Sequence, residues 1–460
     1  MDNLPASLLY YTQTLSNFTR NTVKLNTLNQ TRLASNGATQ LRLALPVNAV
    51  ANLKSLSLVC TVATTGFGAS TGADDAVYAL IPRNGPSALI DRLTFSSGGI
   101  SLDNSSTPYH VVHAIKQNLK KGTQKYMSDD KVLSQSIIEP IDLTSNRAIN
   151  NYGQEKSFIV NNFCGFTEGQ TYLDLNLVPE IFLTMQIGDK SLIPVQYKHS
   201  ELGERTTSVG SKNPNFTGTQ CEFEMKDIYF TLEVIQIGSG LYSAMTQRLM
   251  QERGSIDVCY PQYQMFSQEQ SSSGGTVRGS VSCMSLDKIY GFQRNTSTAT
   301  DAGGAAPYDP YWMQQPPIPV KGSTSYGFNN AADNFISEGI ASWQTQINNS
   351  PMPTFKASRL EAFNFAVNAD DRSYSDSRGG LVSSQEMWLD NCWCAVQRLC
   401  FDENRNLISG LNLSSINSTI NFTSYADGVS ENSWTRQGML MTEQTSLLRI
   451  GASRAIACVA

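Results

Sequence analysis

Along most of this chain apolar and polar residues alternate with a period of two, the spacing of strands with one buried face rather than of helices. Leu41, Leu43 and Leu45 alternate with Gln40 and Arg42, and Leu56, Leu58, Cys60 and Val62 alternate with Ser57, Val59 and Thr61. Similar runs follow at Ala76–Ile81, Ile90–Phe95, Tyr172–Leu177 and Ile181–Ile187. From Cys221 to Ile237 the apolar phase slips from odd positions (Cys221, Phe223, Met225) to even ones (Ile228, Phe230, Leu232, Val234), which predicts a β-bulge. Gly238-Ser239-Gly240 breaks the pattern, and Leu241 to Arg253 reads as a helix capped by Gly254. A second strand series begins at Ile256 and continues through Val277–Cys283, Phe363–Val367, Asn391–Phe401, Ile416–Phe422 and Ser446–Val459. Two series of similar length point to duplicated β-domains.

Three segments of the second series carry more specific information. Leu286–Gln293 is a short apolar run followed by a Thr/Ala/Gly-rich insertion. Arg359–Arg372 alternates Phe363, Phe365 and Val367 before a polar turn at Asn368-Ala369-Asp370-Asp371-Arg372. Ser409–Ile416 reads as a strand end closed by Leu407 and Ile408, a tight turn at Gly410 and a new strand start, with Asn412 placed to tie down backbone groups. In the first series, Asn84–Leu93 leads into Phe95-Ser96-Ser97-Gly98-Gly99-Ile100-Ser101-Leu102-Asp103. A helix over Pro108–Lys121 follows, with Val111, Val112, Ile115 and Leu119 on one face.

In this order the segments resemble the double jelly-roll major capsid proteins of tailless icosahedral DNA viruses, the lineage of tectiviruses, virophages and large nucleocytoplasmic DNA viruses. That family carries a Gly-Gly hairpin followed by Asp, a strand ending in Asn-Gly-x-x-Arg, and a late Ser-Gly-x-x-Asn-Phe-Ser-x-Ile. This chain has Ala369 in place of the turn glycine and Leu413 in place of the phenylalanine. The resemblance covers residues 80 to 460, and its signature positions here are Gly98, Gly99, Asp103, Asn368, Asp371, Arg372, Gly410, Asn412 and Ser414. It implies an all-β protein of two tandem eight-stranded jelly-roll sandwiches with short helices and long loop insertions. Residues 1–36 would form an N-terminal arm, 37–240 the first jelly roll and 241–460 the second. It further implies homotrimeric, pseudo-hexameric capsomers that tile a shell in the virion, with penton and minor capsid proteins as further partners.

Composition narrows the alternatives. Charged residues are 16% of the chain and the net charge is -5, so direct nucleic-acid binding is not expected. The densest basic stretch, Lys116–Lys125, reads as a solvated helix end. No run of about 18 apolar residues spans a membrane. Nine cysteines in an irregular pattern, with Cys392-Trp393-Cys394 misspaced for a metal or redox motif, predict reduced thiols. Sequons such as Asn17, Asn215 and Asn417 are expected by composition alone. The spacing of Leu4, Leu8, Tyr11, Leu15, Phe18, Leu25 and Leu28 predicts an amphipathic helical stripe over residues 1–33. It docks either on its own domain or on neighbours or an internal lipid membrane. Residues 294–353 hold seven of the seventeen prolines with Trp312 and Trp343, and read as a loop insertion forming a tower.

No nucleophile elbow, P-loop, dinucleotide fingerprint or zinc-protease motif is present, so no enzyme, metal or cofactor is predicted. His110 and His113 read as a surface pair, Asp370 and Asp371 as turn residues, and Glu222 and Glu224 as exposed charge on a strand. A virion spike or vertex jelly roll that binds a host glycan or receptor is the alternative function. A polysaccharide hydrolase is a third, without paired carboxylates in a suitable context.

Overall fold

The computed structural model describes residues 18–35, 37, 39–65, 76–79, 85–103, 107–119, 155–161, 163–188, 195–199, 222–237, 240–270, 273–295, 325–329, 337, 339–369, 393–401, 408–414, 418–428, 436–451 and 454–459. In the first half these form β1 (Phe18–Asn26), β2 (Leu33–Ala34), β3 (Gln40–Ala44), β4 (Val50–Thr65), β5 (Ala76–Ala79), β6 (Ile90–Ser97), β7 (Ile100–Ser101), helix α1 (Tyr109–Leu119), β8 (Lys156–Val160), β9 (Tyr172–Asp174), β10 (Ile181–Ile187), β11 (Val195–His199) and β12 (Glu222–Ile237). The second half holds α2 (Gly240–Arg253), β13 (Ser255–Gln270), β14 (Gly275–Val281), β15 (Leu286–Asn295), β16 (Ser325–Asn329), β17 (Ile340–Ile347), β18 (Ser350–Ser358), α3 (Glu361–Asn368), β19 (Ala395–Arg398), β20 (Ser418–Ala426), β21 (Arg436–Gly451) and β22 (Ile456–Val459).

Every strand pairing among these is antiparallel, and neighbours in a sheet are mostly remote in sequence, as in Greek-key sandwiches. In the first half a sheet ordered β1-β12-β4-β8 faces one ordered β3-β10-β6-β7; in the second, β13-β21-β15-β19 faces β14-β20-β17-β18. A small sheet, β16-β11-β5, joins a strand of the second half to two of the first. The fold is therefore all-β, with few short helices, and none of them is long and apolar enough to cross a membrane among the described residues.

Local sequence accounts for much of this. In β10, Ile181, Leu183, Met185 and Ile187 are buried between half-exposed neighbours, as the alternation requires. The phase slip in β12 is a bulge: Asp227 takes φ 52°, the register against β4 shifts between Lys226 and Tyr229, and burial passes from Phe223 and Met225 to Ile228, Phe230 and Leu232. Helix α2 ends as expected, because Gly254 at φ 72° lets its N–H donate to Met250 O at 2.9 Å.

Four expectations are corrected. The helical stripe fails from Phe18 to Asn26, which is a strand paired residue by residue with β12. Thr19, Thr22 and Val23 favour the extended chain, Asn21 weakens a helix, and β12 offers an open edge; residues 1–17 lie outside the described residues. Phe363, Phe365 and Val367 lie on a helix, not a strand. Its start is a reciprocal pair, Glu361 N–H to Ser358 Oγ (3.2 Å) and Ser358 N–H to Glu361 Oε2 (2.6 Å), and Ala362, Ala366 and Ala369 bury its inner face. The insertion is shorter than its proline content suggests, since Trp343 is a fully buried core residue of β17. Pro351 and Pro353 sit on β18, the outer strand of its sheet, where the missing N–H leaves no ladder gap. Of the segment read as a tower, residues 296–324 lie outside the described residues. Gly410 does not take a positive φ, and Ile408 lies outside any strand, exposed.

The second sandwich closes through glycine-aromatic fits across its two sheets. A Cβ on Gly291 of β15 would stand 2.1 Å from the Phe422 ring of β20, and one on Gly279 of β14 would stand 2.3 Å from the Phe266 ring of β13. Gly291→Ala is expected to destabilise the fold by about 1–3 kcal/mol through overpacking. It should lower the thermal midpoint relative to the exposed control Ser280→Ala, and Gly291→Ala with Phe422→Leu should recover part of the loss. An unchanged midpoint in Gly291→Ala would show that the sheets are not in this contact.

Candidate functional site

The two sandwiches meet along a buried polar seam built from both halves. On the first-half side, the β6–β7 turn uses Gly98 (φ 55°) and Gly99 (φ 84°), with Gly98 beside Ile456 of β22, and leads to Asp103. Asp103 Oδ1 accepts the Phe166 N–H at 3.1 Å, and Gly165 (φ 96°) packs so closely that a Cβ there would lie 2.6 Å from the same oxygen. Phe166 meets Tyr260 of β13 edge-on at 5.2 Å, while Gly169 lies against the backbone of Cys259 and Tyr260.

Hydrogen bonds continue across the joint. Tyr263 OH donates to Glu168 Oε2 at 2.5 Å, which also accepts the Gly165 N–H, and Thr107 Oγ1 donates to Tyr263 O at 3.0 Å. Lys116 of α1 pairs with Glu443 of β21 at 3.1 Å, and Tyr290 OH donates to the same carboxylate oxygen at 2.6 Å. Lys116 also stands 5.6 Å from the Tyr263 ring. It is thus a seam cation rather than part of a solvated helix end.

Burial shapes the electrostatics. Asp103 is pushed up to about 7, first by burial and further by the Glu168 carboxylate, with the Phe166 and Phe95 backbone opposing. Burial raises Tyr109 well above its ordinary value. His110 and His113 are buried in α1 rather than forming a surface pair; burial and the Arg294 charge bring His110 down to about 3, so it stays neutral. Its helix turns those positions inward between the apolar Val111, Val112 and Ile115. Burial also raises the thiols of Cys60, to about 12, and Cys283, to about 11, which makes them poor nucleophiles. Among the described residues no three His, Cys, Asp or Glu side chains are grouped to hold a metal ion.

The remaining signature residues lie elsewhere. Gly410 donates its N–H to Ser285 Oγ (3.0 Å), Ser285 Oγ donates to Asp287 Oδ1 (2.7 Å), and Asp287 Oδ2 accepts Thr445 Oγ1 (2.6 Å). A Cβ on Gly410 would meet Ser285 and Asp287 within 2.4 Å, so closeness is the reason for glycine there. Asn412 Oδ1 accepts both the N–H (2.9 Å) and Oγ (2.7 Å) of Ser414, a turn closed by its side chain. Asn368 is exposed at the end of α3, and Asp371 and Arg372 lie outside the described residues. Glu224 is not bare surface charge: its side chain is largely covered and pairs with Arg32 and with Lys226 at 3.7 Å.

The seam residues Lys116, Glu168, Tyr263 and Glu443 carry no motif that marks them in the sequence. Only the polar run Thr442–Ser446, flanked by Met439–Met441 and Leu447–Leu448, hinted at a strand covered on both faces.

The Asp103 carboxyl has a higher pKa folded than unfolded, so the folded state holds the extra proton and its stability falls as pH rises. Its contribution is complete below about pH 4 and is lost as pH passes through about 7. Denaturant midpoints at pH 5 and pH 8 should therefore differ more in the native chain than in Asp103→Asn. Equal pH slopes in the two proteins would remove Asp103 as the source.

No protein-family model matches the sequence, and no curated protein matches it. Similarity appears among solved structures. PBCV-1 VP54, fitted into a reconstruction of the virophage Sputnik, is 12% identical with a TM-score of 0.54 over 97% of this chain and 98% of that one. A chain of the Sputnik virophage structure is 10% identical with a TM-score of 0.56, covering 97% and 89%. The Faustovirus major capsid protein is 11% identical with a TM-score of 0.51, covering 96% and 92%. The likeness extends over nearly the whole of this chain and most of each of the others, and the chain has the double jelly-roll fold of viral major capsid proteins.

Proposed function

We propose that this chain is a major capsid protein, a structural subunit rather than an enzyme. Three copies form a pseudo-hexameric capsomer, and many capsomers tile the icosahedral shell of a virion. The observation that carries the reading is coverage: the likeness to the Faustovirus major capsid protein extends over 96% of this chain and 92% of that one, not over one common sandwich. Two jelly rolls held at a fixed angle by a buried seam supply two of six similar walls around a three-fold axis. A chain with only 16% charged residues can bury wide contacts between copies without stranding many charges.

Finer roles follow from the same reading. Trimers contact one another in the lattice, and penton and minor capsid proteins fill the positions that a trimer does not fit. Phe18–Asn26 is committed to the first sandwich, so contact with neighbours or with an internal membrane falls to the residues before Phe18. The segment between β15 and β17 is the tower that faces outward from the second jelly roll.

Sedimentation or mass photometry at micromolar concentration is expected to give a particle near three times 50.4 kDa, with little folded monomer. A well-folded monomer as the main species would overturn the capsid reading.

A further inference from the structure

The outer face of the sheet β14-β20-β17-β18 carries a concavity that the capsid reading does not use. It is open to solvent, has a volume of about 470 Å³ and is lined by Arg278, Asn348, Asn349, Thr419 and Asn421. Strand register explains the grouping: Arg278 stands opposite Asn421, and Asn421 opposite Gln346, so one row of side chains crosses the sheet on its solvent side. The β17–β18 turn rises beside that row, with Asn348 at φ 53°.

The wall is fixed before any ligand arrives. Asn348 N–H donates to Thr419 O at 2.7 Å, and Asn348 Oδ1 accepts the Thr419 N–H at 3.1 Å. The Asn348 amide is spent on this wall, its Nδ2 donating to Ser418 Oγ at 3.4 Å, whereas Arg278 makes no ion pair among the described residues and the Asn421 amide oxygen is buried without a donor. No carboxylate and no aromatic ring is among the lining residues.

We infer that this pocket binds an acidic sugar, a monosaccharide unit bearing a carboxylate beside hydroxyl groups. A planar guanidinium takes a carboxylate through two parallel hydrogen bonds. Side-chain amides and a threonine hydroxyl both donate and accept, which is what ring hydroxyls need. Arg278 is the one cation among the lining residues, and a single cation suits a single negative charge better than a phosphate. The volume fits one or two sugar rings, and a prearranged wall lowers the ordering cost of binding.

Ligand-observed NMR or calorimetry on the full-length assembled protein tests this with N-acetylneuraminate and glucuronate, against glucose and inorganic phosphate. The acidic sugars should bind saturably and at least about tenfold more tightly than glucose or phosphate. Arg278→Gln should bring them down to the level of glucose, and Arg278→Lys should retain an intermediate affinity, with thermal midpoints unchanged in both. Equal binding of glucose or phosphate, full binding by Arg278→Gln, or no sugar binding by the native protein overturns the assignment. If Arg278→Gln instead lowers the oligomeric mass while no sugar binds, the carboxylate in this pocket belongs to a second copy, and the sugar assignment falls.

Discussion

A carboxylate removed from water costs several kcal/mol unless charge and hydrogen bonds replace its hydration, and how this molecule's halves meet depends on meeting that cost at buried Glu443 and, in part, at half-buried Glu168. Glu443 sits on the central strand of the second sandwich and is answered by Lys116 from the first and Tyr290 from its own sheet. Glu168 belongs to the first half and is answered by Tyr263 from the second. The pairings run in opposite directions across the joint, so each carboxylate takes part of its pairing from the other sandwich. Removing or rotating one half takes a partner from each, which favours one geometry of the joint over a sliding contact. Apolar packing of Phe166 on Tyr260 supplies area; the charges supply register.

The same economy operates inside the second sandwich. Its sheets approach closely where a glycine on one receives a ring from the other, at Gly291 with Phe422 and at Gly279 with Phe266. Each fit fills space with a large side chain while holding the sheets at one spacing, so the two sheets are fixed in translation as well as in distance. Buried Asp287 then ties the loop carrying Gly410 to β15 and β21. Under the proposed capsid reading, a sandwich braced in this way suits a repeating lattice, because small errors in subunit shape accumulate around a closed ring.

Outer surfaces divide between roles. Edge strand β18 carries two prolines, which discourages strand addition by another chain. The solvent face of its sheet is instead furnished with amides, hydroxyls and one guanidinium, groups suited to recognising small polar ligands. The two proposed roles, shell formation and surface recognition, would therefore draw on different residues.

Local physics was legible in the sequence. The period of two named the strands, the slip in Cys221–Ile237 named the bulge, and Gly254 named the end of α2, because each follows from steric preferences of a few adjacent residues. The Gly98-Gly99 turn was legible through the family resemblance, and both glycines take positive φ there. Reading failed where the deciding partner lies far along the chain. Phe18–Asn26 became a strand because β12 had a free edge, and Gly410 is glycine because Ser285 and Asp287 crowd it, not because it turns. His110 and His113 looked like surface because polarity is the only local cue to exposure, yet the packing around α1 covers them. The sequence by itself determined two series of strands and most of their inward faces; only the tertiary structure decided which polar residues those strands would bury, since a side chain's solvent is set by what packs over it.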